Sequence, residues 1–430
     1  MKSLTKYLIP FLVGFGLLSG FFREVTLAYF FGTSRDIEIF RVAYGLPSIW
    51  GDSIAISFMS VLTPYILAVE HKEDDSKLAS VFYATFILAI LVTFIGIVLM
   101  PLQAKLFAPG LTGESQKSII WAGQICWLMF FISVCSIPFR AVMSLRKRLW
   151  PAASAQLIKS SFLALSLIIF VLLFKVTDVK APVFAAIVGS TAMLIMHLTA
   201  IGRRTLTSIL KGLKQYPKWA TLNPILSALF IVFITQIMMS GGRILDRSFA
   251  STMHVGTLAS IEYSYALLMA MVSFLGASTN IILAPKIGKT IQSTGIISKK
   301  YFKAIFGVGV LAVFIGFVVS PLAVFIVKIV FQHGVFDENS LKLTSSIFRI
   351  HALALGPLVI VVILNQLFLL LEKQSYLFWI CFIKVLLRVA SILFFLNFFE
   401  DVRALTYALI VSETIIAALQ IFLLRRLHLA

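Results

Sequence analysis

The sequence predicts an all-α polytopic membrane protein of about twelve transmembrane helices in two six-helix lobes. Three observations carry that expectation. Of the 430 residues, 60% are hydrophobic and only 13% charged, with a mean hydropathy of +1.00, whereas a soluble chain is about half apolar and a quarter charged. The apolar stretches run on for about 20 residues, enough to cross a bilayer as a helix, instead of alternating over about ten as barrel strands do. At roughly 35 residues per helix and loop, the length accommodates about twelve spans. This composition excludes a soluble globular enzyme, a disordered chain and a nucleic-acid-binding domain of ordinary type.

Hydropathy places the spans near 7–31, 39–68, 78–102, 119–142, 152–175 and 181–202, then near 224–250, 257–284, 303–332, 344–371, 375–398 and 402–424. The first apolar run follows Lys2 and Lys6 and imitates a signal peptide. It passes into Phe21-Phe22-Arg23-Glu24 without a small-x-small site, and so is read as a span. The basic stretch Arg203 to Leu222, with Arg203, Arg204, Lys211, Lys214 and Lys218, separates the two sets. The expected division is a lobe over 1–202, a cytoplasmic seam over 203–222 and a second lobe over 223–430.

The formal net charge of +19 has a first explanation in the positive-inside rule and anionic lipid. Lys2, Lys6, Lys72, Lys77, Arg146, Lys147, Arg148, the seam cations, Lys286, Lys289, Lys299, Lys300, Lys373, Arg425 and Arg426 all fall on one side of the predicted spans. The opposite loops hold few, so both termini are expected to be cytoplasmic, with anionic lipid at the basic loops. Cys126, Cys135 and Cys381 lie in apolar segments and the six histidines lack ligand spacing, so neither a disulfide framework nor a metal site is expected.

An internal repeat accompanies the seam. Arg23 precedes Gly32-Thr33 by nine residues, and Arg247 precedes Gly256-Thr257 by nine. Thr63-Pro64 and Ala284-Pro285 follow in the same order, at offsets of 224 and 221 residues for the two features. Two six-span halves of equal orientation imply a parallel repeat about an axis along the membrane normal.

Ionisable residues inside the spans cost about 3 kcal/mol each on insertion scales and normally face a bundle interior or a wet cavity. They are Arg23, Glu24, Arg41 and Asp52 in the first two spans, Lys159 in the fifth, Arg243, Asp246, Arg247 and Glu262 in the seventh and eighth, and Lys384 and Arg388 in the eleventh. Lys384 and Arg388 are four apart, share one helical face, and have no acid in their own span. The set leans cationic and suits an anionic substrate, most economically a phosphate or diphosphate. Two structural alternatives stand beside this: snorkelling of Arg23, Glu24 and Arg41 into headgroups, and an ion-pair cluster of Arg243, Asp246 and Arg247 that only holds helices together. Gly16 and Gly20 read as a helix-packing face. Gly241-Gly242 reads as a hinge, and Pro47, Pro285 and Pro357 as kinks or boundaries.

Gly288-Lys289-Thr290 ends like a phosphate-binding P-loop, but that motif needs glycine where Leu283 stands and a strand before it. With no nucleotide-binding motif and no extramembrane segment for a catalytic domain, neither an enzyme nor a cofactor is expected. Transport would draw on an ion gradient, substrate flux or the membrane potential, which is worth about 2.3 kcal/mol per charge at 100 mV.

The stretches Ser19-Gly20-Phe21-Phe22-Arg23-Glu24, Phe31-Gly32 and Ile39-Phe40-Arg41-Val42-Ala43-Tyr44-Gly45-Leu46-Pro47 resemble the start of the lipid II flippase (MviN/MurJ) family. That family belongs to the multidrug/oligosaccharidyl-lipid/polysaccharide (MOP) exporter superfamily. Ser53 to Tyr65 and Tyr263 to Pro285 continue the similarity. The resemblance implies two six-helix lobes around a cationic cavity, alternating access, and undecaprenyl-diphosphate-linked saccharides as substrates. Arg23 matches one of the family's cavity arginines, and Glu38 falls where the family has an acid. Leu17, Gly51 and Ala266 stand where the family has further arginines, a charge that Arg243, Arg247, Lys384 and Arg388 are expected to supply.

The expectation is therefore a bacterial inner-membrane flippase, monomeric, with no nucleic-acid partner, that moves lipid II or a related surface-polysaccharide unit by alternating access. Arg23, Arg243, Arg247, Lys384 and Arg388 are expected to contact the diphosphate, and Glu38, Asp52, Asp246 and Glu262 to serve gating or a coupling ion. Two alternatives stay open: a cation-coupled multidrug exporter of the same superfamily, which would want an acid-dominated cavity, and a non-transporting membrane scaffold.

Overall fold

The computed structural model describes residues 2–70, 75–145, 149–203, 206–207, 219–294, 298–371 and 373–428, with side chains described in part or not at all within 2–10, 52–53, 56–80, 144–149, 219–236 and 277–294. Its helices are α1 (Lys2–Phe31), α2 (Arg35–Glu70), α3 (Asp75–Val98), α4 (Met100–Phe107), α5 (Glu114–Cys135), α6 (Ile137–Leu145), α7 (Leu149–Leu172) and α8 (Lys180–Ile201). There follow α9 (Trp219–Ser251), α10 (Thr257–Val272), α11 (Ser278–Thr294), α12 (Lys299–Val319), α13 (Ala323–Phe331), α14 (Glu338–His351), α15 (Leu355–Leu370), α16 (Gln374–Leu396) and α17 (Arg403–His428). No strand occurs among the described residues.

Ten helical segments among the described residues are long and apolar enough to cross a membrane. Several are composite. α3 gives way to α4 at Leu99, with a proline in the first turn of α4, where a missing N–H costs nothing. A π-helical turn, Ser273–Ala277, links α10 to α11, and a 3₁₀ turn, Ala352–Ala354, links α14 to α15. The further spans expected at 39–68 and 224–250 coincide with α2 and α9, parts of whose side chains are not described. One sequence expectation changes. Helix α11 continues through Pro285 to Thr294 instead of ending there. α9 runs unbroken through Gly241-Gly242, and Gly241 allows close packing: a Cβ there would lie 2.6 Å from Val385 Cγ2.

The chain divides into two compact units, Met1–Phe31 with Arg35–Ser240, and Gly32–Ser34 with Gly241–Ala430. In the first, α1 lies against α7 and α2 against α5. The Gly16/Gly20 face is what lets α1 approach, since Cβ atoms there would sit 3.5 and 3.7 Å from Gln156. Trp127 fills the interior, donating from Nε1 to Gln103 Oε1 at 3.2 Å, with Gly96 leaving room for its ring.

In the second unit, α12 and α15 interlock through Gly309, Gly316 and Gly356, each with too little space for a Cβ. Tyr263, Phe331 and Phe336 form an aromatic cluster, and Tyr263 donates to Gly32 O at 2.9 Å. Gly32 and Gly256, the two glycines of the repeat, both have positive φ, +52° and +91°, a conformation that only glycine adopts without strain. Apolar side chains cover the outside of the helices, including Phe94, Phe314, Phe317 and Phe325. Exposed rings in such numbers are unfavourable in water and favourable against lipid.

Candidate functional site

The densest polar cluster lies in the second unit. Arg243, Asp246 and Arg247 are three and four apart and so present one face of α9. Lys384 and Arg388 share a face of α16 by the same spacing. Arg247 donates from Nε to Glu262 Oε1 at 2.6 Å and from Nη2 to Oε2 at 3.0 Å. Arg243 reaches the same carboxylate, Nη2 to Oε2, at 2.5 Å, and lies 4.8 Å from the centre of the Tyr265 ring. Arg388 makes a two-pronged contact with Asp246, at 3.0 and 2.9 Å, and donates from Nη1 to Ser412 Oγ at 2.7 Å. Lys384 Nζ is 2.7 Å from Glu413 Oε1.

Four cations thus meet three carboxylates, a formal balance of +1. Arg388 is almost wholly buried, while the Arg243 side chain remains 38% exposed. Arg243 is therefore the most exposed cation of this cluster.

This arrangement differs in detail from the spacing-based reading. Arg243 and Asp246 do not pair with each other; each takes a partner from another helix. The like charges Lys384 and Arg388 are tolerated on one face because Glu413 and Asp246 come to them from α17 and α9. Glu413, Ser412 and Tyr265 are the participants that sequence reasoning missed. A search for carboxylates within the apolar run of the following span would have found Glu413.

The first unit holds a smaller counterpart. Glu24 is shared between Arg23, at 2.5 Å from Nη2 to Oε1, and Arg41. Arg23 also lies over the Tyr44 ring, 5.8 Å from its centre. Arg41 is buried, with its guanidinium on Glu24. Glu38, also buried, receives Arg35 Nη1 at 2.9 Å in the first turn of α2, where the helix dipole favours its charge. Each unit thus has a carboxylate gripped by two arginines. The side chain of Asp52 lies outside the described residues, as does most of the basic seam.

A family model for the lipid II flippase MurJ matches residues 27–429. The chain belongs to the MurJ family. Its relatives in that family include a probable lipid II flippase MurJ from Buchnera aphidicola subsp. Baizongia pistaciae (strain Bp), 24% identical over 424 residues, which cover 93% of this chain and 79% of the relative. The lipid II flippase MurJ of Burkholderia cenocepacia is 22% identical over 377 residues, covering 82% and 70%.

Among solved structures, lipid II flippase MurJ in an inward closed conformation is similar with a TM-score of 0.82 at 16% identity, over 97% of this chain and 87% of that one. An inward-facing multidrug resistance MATE family transporter of the MOP superfamily follows the same fold with a TM-score of 0.73 at 15% identity, over 96% and 94%. The architecture is accordingly that of the MurJ family: all-α, multi-pass and membrane-embedded.

Proposed function

We propose that this MurJ-family protein flips a polyprenyl-diphosphate-linked saccharide, lipid II or a related surface-polysaccharide unit, across a bacterial inner membrane by alternating access. The observation that carries the reading is the family match across residues 27–429. The buried, cation-rich clusters support it, because an anionic headgroup repays the cost of keeping arginines away from water.

In this reading the diphosphate is taken by Arg23, Arg243, Arg247, Lys384 and Arg388. Glu262, Asp246 and Glu413 hold four of these cations when no substrate is present and give them up in turn, while Glu24 does the same for Arg23. Glu38 and Asp52 take part in gating or ion coupling. The prenyl chain stays in lipid. Both termini and the basic stretch 203–222, which joins a lobe over 1–202 to one over 223–430, face the cytoplasm beside anionic lipid, and the protein works as a monomer.

The test is reconstitution in proteoliposomes with fluorescent lipid II, scored by how fast the label becomes accessible to an external quencher. Movement that exceeds empty vesicles and falls with Arg243→Ala supports the proposal. Rates equal to empty vesicles, together with preferential binding of a lipophilic cationic drug, would replace it with the exporter reading.

A further inference from the structure

Helix α12 opens against its own dipole. It begins with Lys299 and Lys300, Lys303 follows one turn on, its first turn holds no acid, and Ser298 gives it no side-chain cap. Cations are unfavourable at the positive end of a helix, and Lys299 and Lys303, four apart, repel on one face. The sequence nearby does nothing to offset this. Residues 281–310 contain five lysines and neither Asp nor Glu, and residues 414–430 contain Arg425 and Arg426 and again no acid. Lys300 turns to the Tyr301 ring, 5.0 Å from its centre. Lys303 and Arg425 are both exposed, and neither stands in an ion pair among the described residues.

These two cations line one groove of about 240 Å³. α12 and α17 both pack on α15, and each helix turns a pair of residues four apart toward the space between them. Phe302 and Phe306 come from α12, Ile360 and Leu364 from α15, and Ile421 and Arg425 from α17. The floor is fixed, since α12 meets α15 at Gly309, where a Cβ would lie 2.7 Å from Ile360 Cδ1. The Phe306 ring stands 65% exposed at the rim. Apart from Lys303 and Arg425 the lining is apolar, and no described carboxylate belongs to it. Lys303 lies near the start of α12 and Arg425 in the last turn of α17, at the edges of the spans expected over 303–332 and 402–424.

We infer that this groove binds an anionic glycerophospholipid of the phosphatidylglycerol type, its phosphodiester between Lys303 and Arg425 and an acyl chain along Phe302, Phe306 and Ile421. A zwitterionic lipid would leave the two cations without a net counter-charge, and a free phosphate would leave the apolar trough in water. Cations at a membrane surface attract anionic lipid, with Arg offering a planar fork to the phosphodiester and Lys a point charge. None of the residues proposed to take the transported diphosphate lines the groove, so its occupant is a lipid of the surrounding bilayer and not the cargo. That the groove opens to the cytoplasmic leaflet rests on the topology of the flippase reading. Its affinity for an anionic lipid does not.

The experiment uses the full chain in detergent, titrated with phosphatidylglycerol, with phosphatidylcholine of the same acyl chains, or with glycerol 3-phosphate. Affinity is read by native mass spectrometry and stability by thermal unfolding. Lys303→Met/Arg425→Met removes the charge of the groove. Lys286→Met/Arg426→Met removes equal charge from exposed positions outside it. Ile421→Trp fills the trough and leaves the charge. The expected result is phosphatidylglycerol bound about tenfold more tightly than phosphatidylcholine. That preference should vanish in Lys303→Met/Arg425→Met and persist in Lys286→Met/Arg426→Met, while Ile421→Trp weakens both lipids. Unliganded Lys303→Met should unfold no earlier than the wild type, because it loses a cation near the positive end of a helix. It should also lose much of the rise in Tm that phosphatidylglycerol gives.

Equal loss of preference in the two double variants would assign it to the overall positive charge, and the inference falls. It falls too if glycerol 3-phosphate binds as tightly as phosphatidylglycerol, since the trough then contributes nothing. Ile421→Trp with wild-type Tm and unchanged affinity for both lipids has the same consequence. Lipid II flipping by a protein that shows no preference between the two lipids removes the groove site and leaves the flippase standing. Lys303-dependent binding of phosphatidylglycerol by a protein that flips nothing does the opposite.

Discussion

The guanidinium of Arg388 straddles the Asp246 carboxylate, Nε to Oδ1 at 3.0 Å and Nη2 to Oδ2 at 2.9 Å, joining α16 to α9 in the interior of the second unit. Neither residue reaches its partner by sequence spacing, and 142 positions separate them. The side chain of Arg388 spans the gap between the two helices: beside Gly242, the nearest atoms of another helix belong to Arg388 itself, at 3.8 Å and beyond.

Breaking such a pair on one side leaves an uncompensated charge. Asp246→Asn is expected to lower stability by about 3 kcal/mol or more, visible as a lower Tm in detergent. The double variant Asp246→Leu/Arg388→Met should recover most of that loss, since two buried charges are removed together. If the double variant is no more stable than the single one, the contact is not what holds α9 to α16.

The glycines make a second, sharper test. Gly241→Ala would place a methyl 2.6 Å from the Val385 Cγ2 methyl, and Gly189→Ala would place one 2.4 Å from the Lys159 carbonyl oxygen. Overpacking of this kind costs about 1–3 kcal/mol. Val385→Ala should rescue Gly241→Ala, because the obstruction is a side chain. No side-chain truncation should rescue Gly189→Ala, because there the obstruction is backbone. Thermal unfolding of Gly241→Ala with and without Val385→Ala, and of Gly189→Ala with and without Leu163→Ala, separates the two cases, and equal rescue in both would contradict the close approach of α8 to α7.

How far the sequence reached can be read from these same residues. Helix positions followed from apolar runs of bilayer length, and the family from a short N-terminal pattern around Arg23 and Leu46-Pro47. The charged spans were legible too, since an Arg or Asp inside an apolar run stands out. Their pairing was not. Spacing along one helix links Arg243 to Asp246, whereas three-dimensional packing gives Arg243 to Glu262 and Asp246 to Arg388. Lys384 looked unbalanced because its acid, Glu413, lies on α17. Periodicity reports which face a residue occupies; it carries no information on which other helix that face meets.

At the edge of the spans, Asp337 caps α14 and accepts from Ser340 N at 2.8 Å. Hydrogen bonding from the Ser340 side chain, then from its backbone, holds the carboxyl below its usual value. A depressed carboxyl contributes stability above its unfolded pKa, near 4, and loses it as the pH falls through the lowered folded value. Protection of the amides in the first turn of α14, taken relative to their intrinsic exchange rates at each pH, should therefore be high at neutral pH and fall below about pH 4. Asp337→Ala should be weakly protected throughout, losing about 1 kcal/mol of capping locally. Wild-type protection that does not change with pH would show that the cap is not held by the charged form.

The last prediction concerns Glu262, which both Arg243 and Arg247 grip. If those arginines take the diphosphate, Glu262 is an internal competitor for them, and the substrate must displace it. Glu262→Gln keeps the shape and removes that competitor. The unliganded variant should be less stable, because Arg247 is buried and now lacks its counter-charge. Affinity for farnesyl diphosphate should nonetheless rise about tenfold, or about 1.4 kcal/mol, and the ligand should raise Tm by more than in the wild type. Flipping should slow, since release then lacks the carboxylate that takes the arginines back. A variant that loses stability and gains no affinity would assign Arg243 and Arg247 to holding α9 against α10, and the diphosphate site would have to be sought elsewhere.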